Sequence, residues 1–290
     1  MNVLAWNCRG IGNDSAVQAL KQLITQHRPS FIFLSETKVS DPDYMRTLRL
    51  ELGYLNCEAV FSRGQSGGLA LFWSDGIDVR FQSKSHHHID VEVWERDGSG
   101  IAWRLSGFYG HPTTSERHRT WTLLRELSTQ SALPWIVVGD FNEVLHVAEK
   151  AGGCVRREGQ MQQFRDALAF CDLFDLGFSG SAFTWSRAGI RCRLDRAVGT
   201  ASWTDIFPAA QVSNLKPIHG DHVPILLGVY PSPLATVQRR RKRFRFESFW
   251  VRHEACAEVV KSGWVCEPRN QPMSQVSRKI MHTRFALNDW

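Results

Sequence analysis

The sequence predicts an α/β protein in which strands and helices are layered around a mixed, partly antiparallel sheet system. Three observations carry this reading. From Met1 to about Tyr230, short apolar runs alternate with amphipathic stretches, the rhythm of layered strands and helices. Turns of the Gly/Asp type, Ser74-Asp75-Gly76 and Asp97-Gly98-Ser99-Gly100, separate consecutive strand-like runs. With 43% hydrophobic and 22% charged residues over 290 positions, the composition is globular rather than disordered, collagenous or membrane-embedded.

The elements follow in order. Residues 3–6 read as a buried strand. Residues 15–27 place Val17, Leu20, Leu23 and Ile24 at helical spacing behind a cap at Asp14 or Ser15. Residues 31–34 form the next strand, and 68–73, 77–82, 89–94 and 102–108 are strand-like. A helix is expected over 115–127, a fully buried strand over 135–138, a further helix over 160–171 and a closing strand over 223–229. Pro231 and Pro233 end the pattern, which puts a boundary near residue 230 between a domain at 1–230 and a tail at 231–290. No internal repeat is evident. The tail opens with Gln238-Arg239-Arg240-Arg241-Lys242-Arg243-Phe244-Arg245-Phe246 and continues into an amphipathic stretch over 247–260.

The net charge of +6 has a location. Residues 1–228 carry 23 basic and 24 acidic side chains, whereas 229–290 carry 12 and 5. The basicity therefore belongs to the tail, and net charge alone does not identify a nucleic-acid partner for the body. Seven cysteines without a C-x-x-C pair argue against a secreted disulfide framework. Neither a leader-like N-terminus nor a stretch approaching 18 apolar residues is present. The expectation is an intracellular chain that is not secreted and has no membrane partner.

Four polar segments fall at the ends of predicted strands, where α/β folds place sites because loops converge there. They are Trp6-Asn7, Ser35-Glu36-Thr37, Gly139-Asp140-Phe141-Asn142 and Gly220-Asp221-His222. Each alone has an ordinary structural reading, since a Glu after a strand is commonly a turn residue or cap and Asp-x-Asn an Asx-turn. Together they form an oxygen-rich set suited to a hard divalent cation, with one imidazole for acid or base work.

These blocks, in this order and spacing over residues 1–228, resemble the endonuclease/exonuclease/phosphatase (DNase I-like) superfamily. The resemblance rests on Asn7 in Trp-Asn-Cys-Arg-Gly, Glu36 in Ser-Glu-Thr-Lys, Tyr109 in Gly-Phe-Tyr-Gly and Asp140 with Asn142 in Gly-Asp-Phe-Asn. Asp195 in Arg-Leu-Asp-Arg and the pair Asp221-His222 complete it. It implies a four-layer α/β sandwich of two packed mixed β-sheets flanked by helices. It also implies Mg²⁺, replaceable by Mn²⁺, held by Glu36, Asn7 and Asp221, and no small-molecule organic cofactor. Asp140 then orients or deprotonates the attacking water, Asn142 fixes that geometry, Asp195 orients His222, and Tyr109 hydrogen-bonds the scissile phosphate. The implied product is a nick with 5′-phosphate and 3′-hydroxyl ends.

Within that superfamily, Gly-Phe-Tyr-Gly-His-Pro (107–112), Phe-Thr-Trp-Ser (183–186) and Arg-Leu-Asp-Arg-Ala (193–197) resemble endonuclease domains of LINE-type retrotransposons, especially those of plants. Arg-Phe-Arg-Phe-Glu-Ser-Phe-Trp (243–250) resembles the connector that precedes reverse transcriptase in such elements. The implied partner is double-stranded DNA. The basic run reads as a nuclear-import or DNA-backbone segment, or else as a solvated linker. Alternatives are an apurinic-site repair endonuclease or phosphatase of the same fold, and a catalytically dead nucleic-acid-binding remnant. Gly220 stands where the family carries a hydroxyl residue, which removes a hydrogen bond that could orient the Asp221-His222 loop.

Other signals carry less. His86-His87-His88 cannot all ligate one ion, because successive strand residues point to opposite faces, and a surface position is expected for the three. His111, two residues beyond Tyr109, either faces the phosphate or is a loop histidine. Gly67-Gly68 and Gly152-Gly153 are read as turns and close packing, and Cys8 as a packing residue.

Overall fold

The computed structural model describes residues 1–64, 66–94, 102–229, 250–251, 253–264, 279–280, 282–283 and 286–287. The chain divides into two compact units, Met1–Pro231 and Ser232–Trp290.

Two large sheets form the centre of the first unit. One runs edge to edge through Ser179–Gly180, Gln211–Asn214, Ile225–Gly228, Asn2–Asn7, Phe31–Ser35, Leu69–Trp73 and Asn56–Val60. The other runs through Phe174–Asp175, Asp195–Gly199, Trp135–Asp140, Ala102–Tyr109, His88–Trp94 and Asp78–Ser85. Each is mixed: Asn2–Asn7 lies parallel to Phe31–Ser35 and Ala102–Tyr109 parallel to Trp135–Asp140, within otherwise largely antiparallel ladders. A small third sheet joins Trp185–Arg187, Ile190–Cys192 and Lys150–Ala151.

The layering follows from the two-residue period of strands. Val3, Ala5, Phe31, Phe33, Leu69 and Leu71 point toward Ile89, Val91, Leu105, Ile136 and Val138 of the other sheet and build the inter-sheet core. The intervening Leu4, Trp6, Ile32, Leu34, Ala70 and Phe72 face Val17, Leu20, Leu23, Met45 and Leu48. Those residues lie on the helices Asp14–His27 and Pro42–Glu51. On the far side, Phe108, Trp135, Val137 and Val198 meet Trp121, Leu124, Leu127, Phe164 and Ala167, which lie on the helices Arg117–Ser128 and Glu158–Phe170. Helix, sheet, sheet and helix make the four-layer α/β sandwich that the resemblance implied.

Boundaries expected from the sequence fall within a few residues of those observed, the usual spread at element ends. The first helix is capped by Asn13, whose side chain accepts from Ala16 N–H, rather than by Asp14 or Ser15. The helix Pro42–Glu51 was not anticipated, although Asp41 as N-cap with Pro42 behind it is a start signal. The turn expected at 97–100 and the basic run at 238–246 lie outside the described residues. In the second unit, Glu254–Gly263 is a helix whose cap, His253, accepts from Ala255 N–H. No helix of the described residues is long and apolar enough to cross a membrane.

Candidate active site

Strand register brings the polar segments together. Asn7 is the last residue of its strand, opposite Ser35, and Glu36 follows directly. Tyr109 and Asp140 end two parallel strands opposite each other, and Asp195 opens the antiparallel strand in register with Asp140. Asp221 and His222 precede Ile225–Gly228, which pairs with Asn2–Asn7. Glu36 and Asn142 take left-handed backbone with φ of 52° and 55°, an uncommon state that turns the chain sharply at the strand end. Gly110 permits close approach of the 139–142 turn: a Cβ there would lie 2.0 Å from the Phe141 carbonyl oxygen. Across that gap Gly110 N–H donates to Asp140 O at 2.7 Å, and Asn142 Nδ2 donates to Gly110 O at 2.8 Å.

The side chains form one hydrogen-bonded set. Asn7 Nδ2 donates to Glu36 Oε1 at 3.0 Å and to Asp140 Oδ2 at 2.9 Å, tying two carboxylates together through one amide. Asp140 Oδ1 accepts from Asn142 N–H at 2.8 Å. Tyr109 Oη donates to Glu36 Oε1 at 2.8 Å. His222 Nδ1 lies 2.9 Å from Asp195 Oδ2, and its Nε2 lies 3.8 Å from Asp140 Oδ2. Asp195 is fixed in turn, because Thr184 Oγ1 accepts from both Leu194 N–H and Asp195 N–H at 2.9 Å.

Burial and charge set the protonation. Burial raises the Asp140 carboxyl above its ordinary range and Asp195 adds to this, against opposing pulls from His222, Asn7 and Asn142. For His222, burial alone would lower the value, but the Asp195 and Asp140 carboxylates outweigh it and raise it to about 9. Burial likewise acts to raise Glu36, yet the Asn7 amide, Arg9 and Tyr109 bring it below the usual carboxylate range. Asp221 is lowered in the same way, chiefly by Arg9 and then by His222 and Trp185. Burial pushes the Tyr109 hydroxyl up, with Glu36 and Asp140 reinforcing it, so it remains a donor.

All eight residues singled out from the sequence thus stand in one cluster, and its five carboxylate and imidazole groups fall into two subsets. Asp140, Asp195 and His222 are buried, and each offers one possible metal-ligand atom within 4.8 Å of the others. Glu36, also buried, and the partly buried Asp221 are linked by Arg9, the most exposed of the three. Its guanidinium donates to both Glu36 oxygens at 3.2 and 3.0 Å, and to Asp221 Oδ1 and Oδ2 at 2.9 and 3.2 Å. Sequence reasoning gave Arg9 no role, nor Trp185, whose indole N–H donates to Asp221 Oδ2 at 3.0 Å. Both sit in quoted motifs, but their partners lie far along the chain and no local pattern signals them.

The Gly220 loop is oriented by other means than a hydroxyl. Gly220 has a φ of +74°, which suits glycine. The loop is pinned by Arg9 and Trp185 on Asp221, by Ser186 N–H on Asp221 O, and by Trp6 Nε1–H on His222 O. Of the three consecutive histidines, only His86 is exposed, while His88 is buried between Ser83 and Ser85 hydroxyls, which corrects the surface expectation. Burial pushes His88 down to about 4. His87 stacks on Tyr109 and lies beside His111, with ring centroids 6.2 and 5.3 Å away.

Residues 4–268 match the model of the Endonuclease/Exonuclease/phosphatase family. The chain belongs to this family. Solved structures with the family's fold include the 3′ phosphatase NExo from Neisseria bound to a product DNA hairpin, at a TM-score of 0.59 and 17% identity over 79% of this chain and 98% of that one. The AP endonuclease LMAP from Leishmania major gives 0.61 and 16% over 78% and 86%. The endonuclease domain of TRAS1, a telomere-specific non-LTR retrotransposon, gives 0.58 and 15% over 78% and 96%. No curated protein matches the sequence. At these identities the shared feature is the endonuclease/exonuclease/phosphatase fold itself, so substrate choice has to be argued from the site.

Proposed function

We propose that the protein is a Mg²⁺-dependent phosphodiesterase, derived from a LINE-type retrotransposon, that nicks double-stranded DNA and leaves 5′-phosphate and 3′-hydroxyl ends. The observation that carries the phosphodiester chemistry is the placement of His222 between Asp195 and Asp140, with Asn7 coupling Asp140 to Glu36; the retrotransposon origin and the duplex substrate rest on the motifs at 107–112, 183–186 and 193–197. The side-chain arrangement sets a general base, an orienting imidazole and an acidic cation face side by side.

The donor set fits a hard divalent ion. Glu36 and Asp221 offer carboxylate oxygens, and the pair already accommodates a cation in the guanidinium of Arg9. Asn7 Oδ1 faces the same loop, where it accepts from Arg9 N–H at 3.3 Å. Bound there, Mg²⁺, or Mn²⁺ in its place, supplies charge neutralisation at the phosphate and the leaving oxygen.

The chain's own residues do the rest. Asp140, with both carboxylate oxygens engaged by Asn142 and Asn7, orients the attacking water and accepts its proton, aided by the upward displacement of its pKa. His222 donates Nδ1–H to Asp195, which leaves Nε2 to engage a phosphoryl oxygen. Asn142 holds the turn against Gly110. Tyr109, whose hydroxyl donates to Glu36 in the free protein, donates to the scissile phosphate when substrate is bound. The basic run at 239–245 adds phosphate contacts or a nuclear-import signal in this reading.

The test compares three substrates under Mg²⁺: plain duplex, the same duplex with one abasic site, and a 3′-phosphate-terminated duplex. Cleavage of plain duplex at internal positions, with nicks that DNA ligase reseals, is expected. Turnover confined to the abasic or 3′-phosphate substrate would move the assignment to a repair-type activity.

A further inference from the structure

The carboxylates expected to hold the metal are held by a cation of the chain's own. Arg9 follows Asn7 by two residues in left-handed backbone, φ 52°, and this turn sends its side chain across the mouth of the site. The guanidinium then makes four contacts of 2.9 to 3.2 Å, two to Glu36 and two to Asp221. All three guanidinium nitrogens take part, Nε and Nη2 on the two oxygens of Asp221 and Nη1 on both oxygens of Glu36. The interaction is also accessible, because the Arg9 side chain is 34% exposed while Glu36 and Asp221 are at 9% and 19%. The stem of Arg9 runs past Gly220: a Cβ built there would lie 3.8 Å from Arg9 Cβ and Cγ.

We propose that Arg9 is an exchangeable occupant of the metal position. A divalent ion and the Arg9 guanidinium bind the same carboxylate pair in alternation, so metal entry is a cation exchange in which Arg9 swings out toward solvent. This inference rests on Glu36 and Asp221 being the metal-holding face. Electrostatics requires the competition. With Arg9 in place the pair is compensated, whereas without it the only groups hydrogen-bonded to the two carboxylates among the described residues are the neutral donors of Asn7, Tyr109 and Trp185, with His222 next to Asp221 in the chain, a state that favours cation binding. Arg9 therefore weakens metal affinity and at the same time stabilises the metal-free fold. Once displaced, its planar fork of donors is released beside the site that receives a phosphate, where such a group binds in bidentate fashion.

The experiment measures Mn²⁺ binding to the full chain by electron paramagnetic resonance for wild type, Arg9→Met, Arg9→Lys and Glu36→Gln, with metal-free and Mn²⁺-saturated melting recorded for each. Arg9→Met is expected to bind Mn²⁺ at least tenfold more tightly than wild type, to melt lower without metal and to gain more from it. Glu36→Gln is expected to lose the site. Should Arg9→Met be too unstable to handle, the Arg9 Nε–H resonance of wild type, assigned by its loss in Arg9→Lys, reports the same event. Titration with Mg²⁺ should move it to the position of a free arginine. Equal Mn²⁺ affinity in wild type and Arg9→Met at a site that Glu36→Gln abolishes, or an Arg9 resonance unmoved at Mg²⁺ saturation, overturns the exchange alone. Mn²⁺ binding unaffected by Glu36→Gln overturns the metal assignment and the exchange with it.

Discussion

His222 Nδ1 lies 2.9 Å from Asp195 Oδ2, and both groups are buried where the Asp195–Gly199 strand meets Asp140 in register. A carboxylate so placed fixes the orientation of the imidazole, favours its charged form and holds Nε2 toward the Asp140 side. Asp195→Asn keeps the shape and removes the charge. It is expected to lower kcat by roughly 10³- to 10⁴-fold, as loss of a buried imidazole-orienting carboxylate does, with KM for DNA changing far less. Steady-state kinetics on a duplex substrate checks this.

The same pair makes stability depend on pH with a defined sign. The folded value for His222 is raised to about 9, above the ordinary value near 6.5. Its contribution is fully present below about pH 6.5 and is lost as the pH rises through about 9. The stability difference between wild type and His222→Gln should therefore shrink by at most about 3 kcal/mol between pH 6 and 10. Urea unfolding at each pH measures it. A difference that grows with pH would contradict the assignment.

Among the described residues Asn7 is the only side-chain amide that bridges Glu36 and Asp140, and its truncation leaves two buried carboxylates without that bridge. Asn7→Ala is expected to cost about 1–3 kcal/mol in unfolding free energy, and Asn7→Asp more, because it adds a third negative charge. Denaturant titration gives both values.

A second buried network supports the strand that carries Asp195. Arg196, fully buried, bridges Glu149 and Asp175 at 2.8 Å each, and Arg193 contacts the same two carboxylates at 2.8 Å. Removing one partner of a buried pair leaves uncompensated charge. Arg196→Met is expected to destabilise the protein by about 3–5 kcal/mol, read as a lowered urea midpoint.

Much of this was legible in the sequence because it follows from local periodicity. The run Trp135–Val138 is apolar on both faces and is buried on both, and the apolar spacing of Val17, Leu20 and Leu23 matches the buried face of its helix. Polar residues that interrupt such runs at their ends stand out, which is why Asn7, Glu36, Asp140 and His222 could be named. What remained hidden depends on distant pairing. Arg9 carries no role in the sequence until Glu36 and Asp221 are seen around it. Thr184 stands without a role of its own in Phe-Thr-Trp-Ser until its hydroxyl is seen under Leu194 and Asp195. His88 looked like a surface residue because its serine partners follow from a β-hairpin register that the pattern does not fix.

The most direct measurement is relaxation of supercoiled plasmid by the full chain with Mg²⁺ or EDTA, comparing wild type with Asp140→Ala and His222→Ala. The account predicts nicked circles with wild type and Mg²⁺, none with EDTA, and a loss of rate of at least two orders of magnitude in both variants. A folded wild-type protein that leaves the plasmid supercoiled under Mg²⁺ and Mn²⁺, or one that both variants match, would contradict it.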